Sequence, residues 1–441
     1  MNKTLERLKS RGFFQQCTDV EKLSLLMDQG PIVFYEGCDP TGPSLHIGHM
    51  APYFAMRHLV EAGHKAIVLI GGGTARIGDP SGKTTMRKML SYEQLDENAA
   101  SIARQINRFF AALPHNAAAN ITYENNKTWL ANLNYIDFLR EIGSHFSVNR
   151  MLSFESYKMR LESDAGLSFI EFNYQLLQSY DFYQLYKRYG CRLQIGGNDQ
   201  WGNITAGADL IRRLAWGGES ASADGASTDG ASAEAATVFG LTFPLVTTAD
   251  GKKMGKTEKG AVFLDPSITA PYDFFQYWRN VQDADARRFL LMFTFLPIEE
   301  CDALAAPDKN PNQAKERLAW EVTALIHGAD EADKALSGAR ASFGGAGGDK
   351  SAMPSVRLAR SKFEAGYNIV DLFFDAHLCA TKSEARRMVQ QGGTCVGSQG
   401  AFTPVTDVAA TVGADMLDEE GEITLRAGKK RFCRVASVSD V

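Results

Sequence analysis

Four stretches of this chain hold residue types whose spacing could do chemistry. Asp39 to His49 reads Asp-Pro-Thr-Gly-Pro-Ser-Leu-His-Ile-Gly-His. His46 and His49 are three apart at an expected helix start, so they share a face. The positive end of the helix dipole lies there and favours anions. Gly48 between them would let a flat ring approach the backbone. This suits a triphosphate and an adenine, although a lone pair of histidines is more often two surface residues. Lys252, Lys253 and Lys256 cluster in a turn-rich segment after Asp250-Gly251. Ammonium groups there could close on phosphates as charge builds in a transition state. Alone, such a run is usually a solvated face. Tyr174, Gln178 and Asp181 stand at helical spacings of four and three, so all three can face one pocket. Gly78-Asp-Pro-Ser-Gly-Lys83 invites comparison with a phosphate-wrapping loop. Counting back from Gly82-Lys83, the first glycine of that loop should be at 77, where isoleucine stands. The loop would be one residue short, and this reading is rejected.

These residues need a scaffold, and the chain suggests one. Pro31–Tyr35 is a short β-rich run, followed by a Gly/Pro loop. Ser44 can cap a helix running to about Ala62, stopped by Gly63. Ala66–Ile70 is a continuous apolar run, as expected of a strand buried on both faces. Strand, loop, helix and buried strand begin a βαβ unit, so the fold class is α/β with a Rossmann-like parallel sheet. Arg192–Ile195 reads as a later strand. Residues 217–236 repeat small residues without an apolar anchor and are expected to be a flexible insertion. Pro271 to Gly328 is helical in pattern, with a 3.6-residue stripe through Leu318, Val322 and Leu325-Ile326. Ser337–Pro354 is rich in Gly, Ala and Ser and reads as a linker. Tyr367–Val441 reads as a small α/β module. The expected domains are 1–250, 251–336, a linker over 337–365, and 366–441.

Composition narrows the classes. The chain has 441 residues, 44% hydrophobic and 22% charged, which excludes a wholly disordered protein. No apolar run is long enough to span a bilayer, so no membrane partner is expected. The net charge of −5 argues against a partner held by bulk positive charge. Seven scattered cysteines without a CxxC pair argue against a disulfide framework and a cysteine-ligated zinc. A reducing cytoplasm is the simplest compartment. The N-terminus lacks a signal peptide pattern, and a short surface helix over Thr4–Lys9 is expected there.

Taken together, His46-Ile-Gly-His49 and Lys253-Met-Gly-Lys256-Thr257 resemble the two signatures of class I aminoacyl-tRNA synthetases. Longer stretches narrow the class: Phe34 to Thr41, Ile77 to Lys83, Phe172 through Gln178 to Asp181, Leu193 to Asn203, Phe239 to Thr242, and Ala380 to Arg387. These are similar to the bacterial tyrosyl-tRNA synthetase family, over nearly the whole chain. The resemblance implies tyrosine and ATP as substrates and tRNA(Tyr) as partner. It also implies a homodimer, Mg²⁺ travelling with ATP, and no metal ligands in the protein. Tyr35 and Asp181 would hold the substrate hydroxyl, with Asp79, Tyr174 and Gln178 on its ammonium and Gln200 near its carboxylate. Gly37, Asp39, Thr41, Gly48, Gly197 and Asp199 would line the ATP site. His46, His49, Lys253, Lys256 and Thr257 would act on the phosphates. Lys83 and Arg87 would meet the tRNA acceptor end, and Lys382, Arg386 and Arg387 would bind RNA from a small C-terminal module. Lys429-Lys430-Arg431 with Arg434 forms a second basic cluster there.

Some positions depart from the family pattern. Glu36 stands where a small residue is common, Pro52 threatens to kink the first helix, and Val396-Gly397-Ser398 replaces a Val-Asn-Gly turn. A tryptophan-specific relative is disfavoured by Tyr35, Gln178 and Asp181. A non-catalytic RNA-binding protein is disfavoured by the intact His and Lys motifs.

Overall fold

The computed structural model describes the chain except residues 82–89, 114, 165, 217–236, 252–253, 255, 258–259, 343–353, 399–400, 429–430 and 439–441. At 115–116, 216, 256–257, 341–342, 398 and 401 it describes backbone alone. The insertion expected at 217–236, together with Lys83, Arg87, Lys253, Lys429 and Lys430, therefore lies outside the described residues. Two compact units are present: Met1–Ile268 with Val281–Ala314, and Thr269–Asn280 with Lys315–Val441.

The first unit is built on a sheet whose strands are β1 (Gln16–Cys17), β2 (Val33–Cys38), β3 (Lys65–Ile70), β4 (Ile121–Asn125), β5 (Cys191–Gly197) and β6 (Phe239–Phe243). Their order is β1-β6-β5-β2-β3-β4, parallel except for β1. Apolar β-branched runs such as Ile67-Val68-Leu69-Ile70 bury both faces, as parallel strands must when helices cover both sides. From β2 the chain winds one way through β3 and β4, and β5 and β6 lie on its other side. The order therefore reverses between β2 and β5. In open α/β sheets ligands bind at that point, outside the strand C-termini.

The two faces are covered differently. Helix Met50–Glu61 buries nearly every side chain, and packs with Lys3–Ser10 and Asp283–Phe293. Phe54 meets Phe109, Phe293 and Phe295 there. The opposite face carries helices Phe169–Tyr189 and Trp201–Trp216. The first of these has a Ser168–Glu171 capping box and ends on Gly190 in the left-handed conformation.

The expected strands and the N-terminal helix are present, with bounds that differ by one to three residues; the first strand starts at Val33 rather than Pro31. Three expectations fail locally. Ser44 does not cap a helix: its hydroxyl bonds Leu45 O and Gln105, and it accepts from Asp265 N. His46 caps a short 3-10 turn over Ile47–His49 instead, and the α-helix starts at Met50. Pro52 is consequently the third residue of that helix, in its first turn, where a missing N–H does not break the ladder. The linker is shorter than expected, because helix Ala329–Ser342 runs into it. On its other side β9 (Ser355–Ala359) pairs with the C-terminal sheet; the preceding strands β7 (Lys256–Thr257) and β8 (Gly260–Ala261) pair with each other in the first unit.

In the second unit, helices Pro271–Arg279 and Ala329–Ser342 pack together, and Arg340 pairs with Glu316. The C-terminal part holds β10 (Tyr367–Asn368), β11 (Thr394–Ser398), β12 (Ala401–Val405), β13 (Thr411–Val412), β14 (Glu422–Ala427) and β15 (Arg431–Val438). A sheet of order β12-β11-β14-β15-β9 packs on helices Ile369–Asp375 and Lys382–Gln390 around Phe373, Leu425 and Val435. Val396-Gly397-Ser398 is β11 strand here, paired with β12. None of the seven cysteines, all described, is in a disulfide. Among the described residues no helix is long and apolar enough to cross a membrane.

Candidate active site

A cavity of about 610 Å³ opens in the first unit where β2 and β5 end. Its floor is a buried polar cluster. Asp181 comes from the middle of helix Phe169–Tyr189 and is buried. Its Oδ2 accepts from Asn126 Nδ2 at 2.8 Å and its Oδ1 from Trp129 Nε1 at 2.7 Å. Asn126 is itself fixed, because its Oδ1 accepts the Gly73 N–H at 2.7 Å. Burial pushes the Asp181 pKa up to about 8, against the downward pull of those two donors. Tyr35 points to the same face of β2 and packs on Phe182. Its hydroxyl is buried without a hydrogen-bond partner. Burial and the nearby Asp181 carboxyl hold that phenol well above its usual pKa. The floor therefore presents one unmet hydroxyl beside one braced carboxyl.

Above the floor a second network forms. Tyr174 donates to Asp39 Oδ2 at 2.9 Å, and Thr74 donates to Asp39 Oδ1 at 2.7 Å. Gly71 makes room for this carboxylate: a Cβ there would lie 2.0 Å from Asp39 Oδ1. Gln200 Nε2 donates to Asp79 Oδ2 at 2.8 Å, and Asp79 Oδ1 accepts the Ser81 N–H. Asn203 Nδ2 donates to both Gln178 Oε1 and Gln200 Oε1. Two carboxylates with oriented amide oxygens can hold an ammonium group.

The mouth is set by the histidine motif. His46 is extended, its Nδ1 accepts the Gly48 N–H at 3.0 Å, and His49 Nδ1 accepts the His46 N–H at 3.2 Å. In the neutral rings this leaves the proton on Nε2, making each a donor. The two rings stack with centroids 3.7 Å apart. Gly48 is required by a ring, but the ring is His46: a Cβ would lie 2.8 Å from its Cε1 and 3.2 Å from Met254 O. Gly37, Thr41, Gly197 and Asp199 also line the cavity. Each side chain proposed for tyrosine or ATP from the sequence thus meets the same space, apart from those on the lysine segment. Of that segment, Lys256 and Thr257 are described in backbone only, as part of the β7–β8 hairpin.

A family model described as tRNA synthetases class I (W and Y) matches residues 27–344. A tyrosine–tRNA ligase of Treponema denticola is 59% identical, over 99% of both chains. One of Caldanaerobacter subterraneus is 47% identical, over 98% of both. The chain belongs to the tyrosine–tRNA ligases. Among solved structures, a C-terminally truncated mitochondrial tyrosyl-tRNA synthetase of Aspergillus nidulans is similar at TM-score 0.67 and 30% identity, covering 76% of this chain and 93% of that one.

For a tyrosine–tRNA ligase, the sequence reading missed Asn126, Trp129 and Asn203, which orient Asp181, Gln178 and Gln200. The available signal was Asn125-Asn126 at the C-terminal end of β4, beside the floor of the cavity. It also missed the burial of Glu36, which lines the cavity from the other face of β2, beside Tyr53. Burial raises the Glu36 pKa to about 8. In the second unit, Lys382, Arg386 and Arg387 stand exposed on helix Lys382–Gln390, with Lys382 paired to Asp371 at 2.7 Å. Of the second basic cluster, the two described residues are engaged inside the module. Arg431 donates to Leu378 O and Arg434 pairs with Glu422.

Proposed function

We propose that this protein joins tyrosine to ATP as tyrosyl-adenylate, releasing pyrophosphate, and then passes tyrosine to the 3′ end of tRNA(Tyr). The observation that carries the tyrosine choice is the floor of the cavity, where the unpartnered Tyr35 hydroxyl adjoins the braced Asp181 carboxyl. A substrate phenol satisfies both, and phenylalanine leaves both unmet.

Asp79, Tyr174 and Gln178 hold the ammonium group and Gln200 the carboxylate side. Gly37, Asp39, Thr41, Gly48, Gly197 and Asp199 surround the nucleotide. The carboxylate is already ionised, so no general base is needed for its in-line attack on the α-phosphorus. Catalysis is positioning plus charge stabilisation. His46 and His49 donate from Nε2 to phosphate oxygens, and Lys253, Lys256 and Thr257 add donors as pyrophosphate leaves. ATP enters as its Mg²⁺ complex, which keeps mostly water ligands. Lys83 and Arg87 take the acceptor end of the tRNA. Arg386, Arg387 and Lys382 contact RNA phosphates. Exposed Tyr135, Ile136, Val148, Phe169 and Ile170 supply an apolar surface for a homodimer. The compartment is the cytoplasm.

Tyrosine-dependent exchange of pyrophosphate into ATP tests the reading. Exchange that follows tyrosine and ignores tryptophan is expected, and exchange driven by tryptophan instead would overturn it. Truncation before residue 354 should spare exchange and cripple tRNA charging. Normal charging by the truncated protein would remove the RNA role of the module.

A further inference from the structure

The segment carrying Lys253 and Lys256 is tied to the first unit at described residues on both sides. On its outgoing limb Ile47 N donates to Val262 O at 3.0 Å and Leu264 N to Leu45 O at 2.8 Å, and Ser44 Oγ accepts the Asp265 N–H at 3.1 Å. Met254 N donates to Val246 O at 2.9 Å, and Met254 O sits against Gly48. The incoming limb is held by side chains. Asp285 Oδ2 accepts the Ala249 N–H at 2.8 Å. Asp285 Oδ1 accepts from Arg288 Nη2 at 2.6 Å, and Arg288 Nη2 also donates to Thr247 O.

Both residues lie near the start of helix Asp283–Phe293. A carboxylate in a first helical turn ordinarily serves its own helix. Here its side chain is 2% exposed and reaches a backbone donor 36 residues earlier in the chain. The guanidinium completes the clamp by taking the carbonyl two residues before that donor.

We propose that Asp285 and Arg288 are positioning residues for adenylate formation. They fix Thr247–Ala249, and with it the point from which the lysine segment departs towards the histidine motif. This rests on the proposed role of Lys256 at the phosphates. This tie runs through side chains of another element, so substitution can cut it without changing the backbone of the segment itself. A misplacement of about 1 Å at a reacting centre can cost roughly 100-fold, so loosening one limb should be felt in rate.

The test compares wild type, Arg288→Ala, Arg288→Lys, Asp285→Ala, Lys256→Ala and the Arg288→Ala/Lys256→Ala double variant. Single-turnover adenylate formation, tyrosine affinity and Tm are measured for each. Arg288 is a 42% exposed side chain, so its variants are expected to fold. Arg288→Ala and Asp285→Ala should slow adenylate formation roughly 10-fold, with tyrosine affinity unchanged within about twofold. Arg288→Lys should recover part of the loss. In the double variant, Arg288→Ala should cost much less than it does alone, because residues that act through one group are not additive. An unchanged rate in Arg288→Ala would overturn the proposal. So would a loss of rate matched by a loss of tyrosine affinity, or full additivity with Lys256→Ala. A wild-type rate in Lys256→Ala would instead bring down the lysine assignment itself.

Discussion

Tyr35 and Glu36 are neighbours on β2, so they face opposite sides of the sheet and meet different company. On the Tyr35 side, the buried carboxyl is Asp181, held by donors from Asn126 and Trp129. On the Glu36 side, the buried carboxyl has the Tyr53 hydroxyl beside it, and its Oε2 has no hydrogen-bond partner. Burial pushes both carboxyls to about pKa 8. A raised pKa therefore does not by itself mark a recognition group. The donors do. Asp181 has its orientation fixed by two donors of the protein, which leaves its remaining capacity directed at a ligand.

The comparison breaks most easily at Asp181. An asparagine there must turn an NH₂ group towards either Asn126 Nδ2 or Trp129 Nε1, and both are donors. A buried mismatch of this kind, added to the lost hydroxyl partner, should cost about 2–4 kcal/mol in kcat/KM for tyrosine, roughly 30- to 1,000-fold. Pyrophosphate exchange measures it. A loss below threefold would remove Asp181 from recognition.

Glu36 sharpens the other half. Its folded pKa of about 8 is raised above the ordinary 4.5. The protonated form thus stabilises the fold fully below about pH 4.5, and that contribution is lost as pH rises towards 8. Glu36→Gln should abolish this slope, roughly 1 kcal/mol per pH unit. Denaturant unfolding at pH 5 and pH 8 should show the variant gaining on wild type as pH rises. Parallel curves would mean that Glu36 is not held neutral by the fold.

Trp129→Phe keeps the ring and deletes one donor to Asp181. The expected cost is about 1.5 kcal/mol in kcat/KM for tyrosine, close to 10-fold, because the lost bond serves a carboxyl. ATP affinity should hold. A matching loss in ATP affinity would show that the substitution disturbs the cavity as a whole.

Much of this site could be read along the chain. The 174–178–181 spacing predicted one shared face, and the helix delivers those side chains to one cavity. The apolar run at 66–70 and the strand read at 192–195 both lead into glycine-rich ends, and the cavity opens there. What could not be read depends on which strands become neighbours. Asn126 and Trp129 lie about 50 residues from Asp181 and reach it only because β4 joins the edge beside β3. Ser44 had the composition of a cap. Gln105, 61 residues away, claims its hydroxyl and moves the helix start to Met50. Pro52 is harmless for the same reason.

Tyr35→Phe should have the smallest effect, and its two parts have opposite signs. In the unliganded protein the Tyr35 hydroxyl is buried and makes no hydrogen bond. Deleting it removes a polar atom that the fold desolvates without return, so stability should hold or rise slightly, by a few tenths of a kcal/mol. With tyrosine bound, the hydroxyl gains a partner, and its deletion should cost about 0.5–1.5 kcal/mol. Phenylalanine offers no such partner, so its kcat/KM should barely change. The ratio for tyrosine over phenylalanine should therefore fall roughly 2- to 12-fold while Tm stays level or climbs. Asp181 remains braced in this variant, so most of the discrimination should survive. A lowered Tm with an unmoved ratio would show that the hydroxyl serves the fold rather than the substrate, and the contrast between the two faces of β2 would then rest on Asp181 alone.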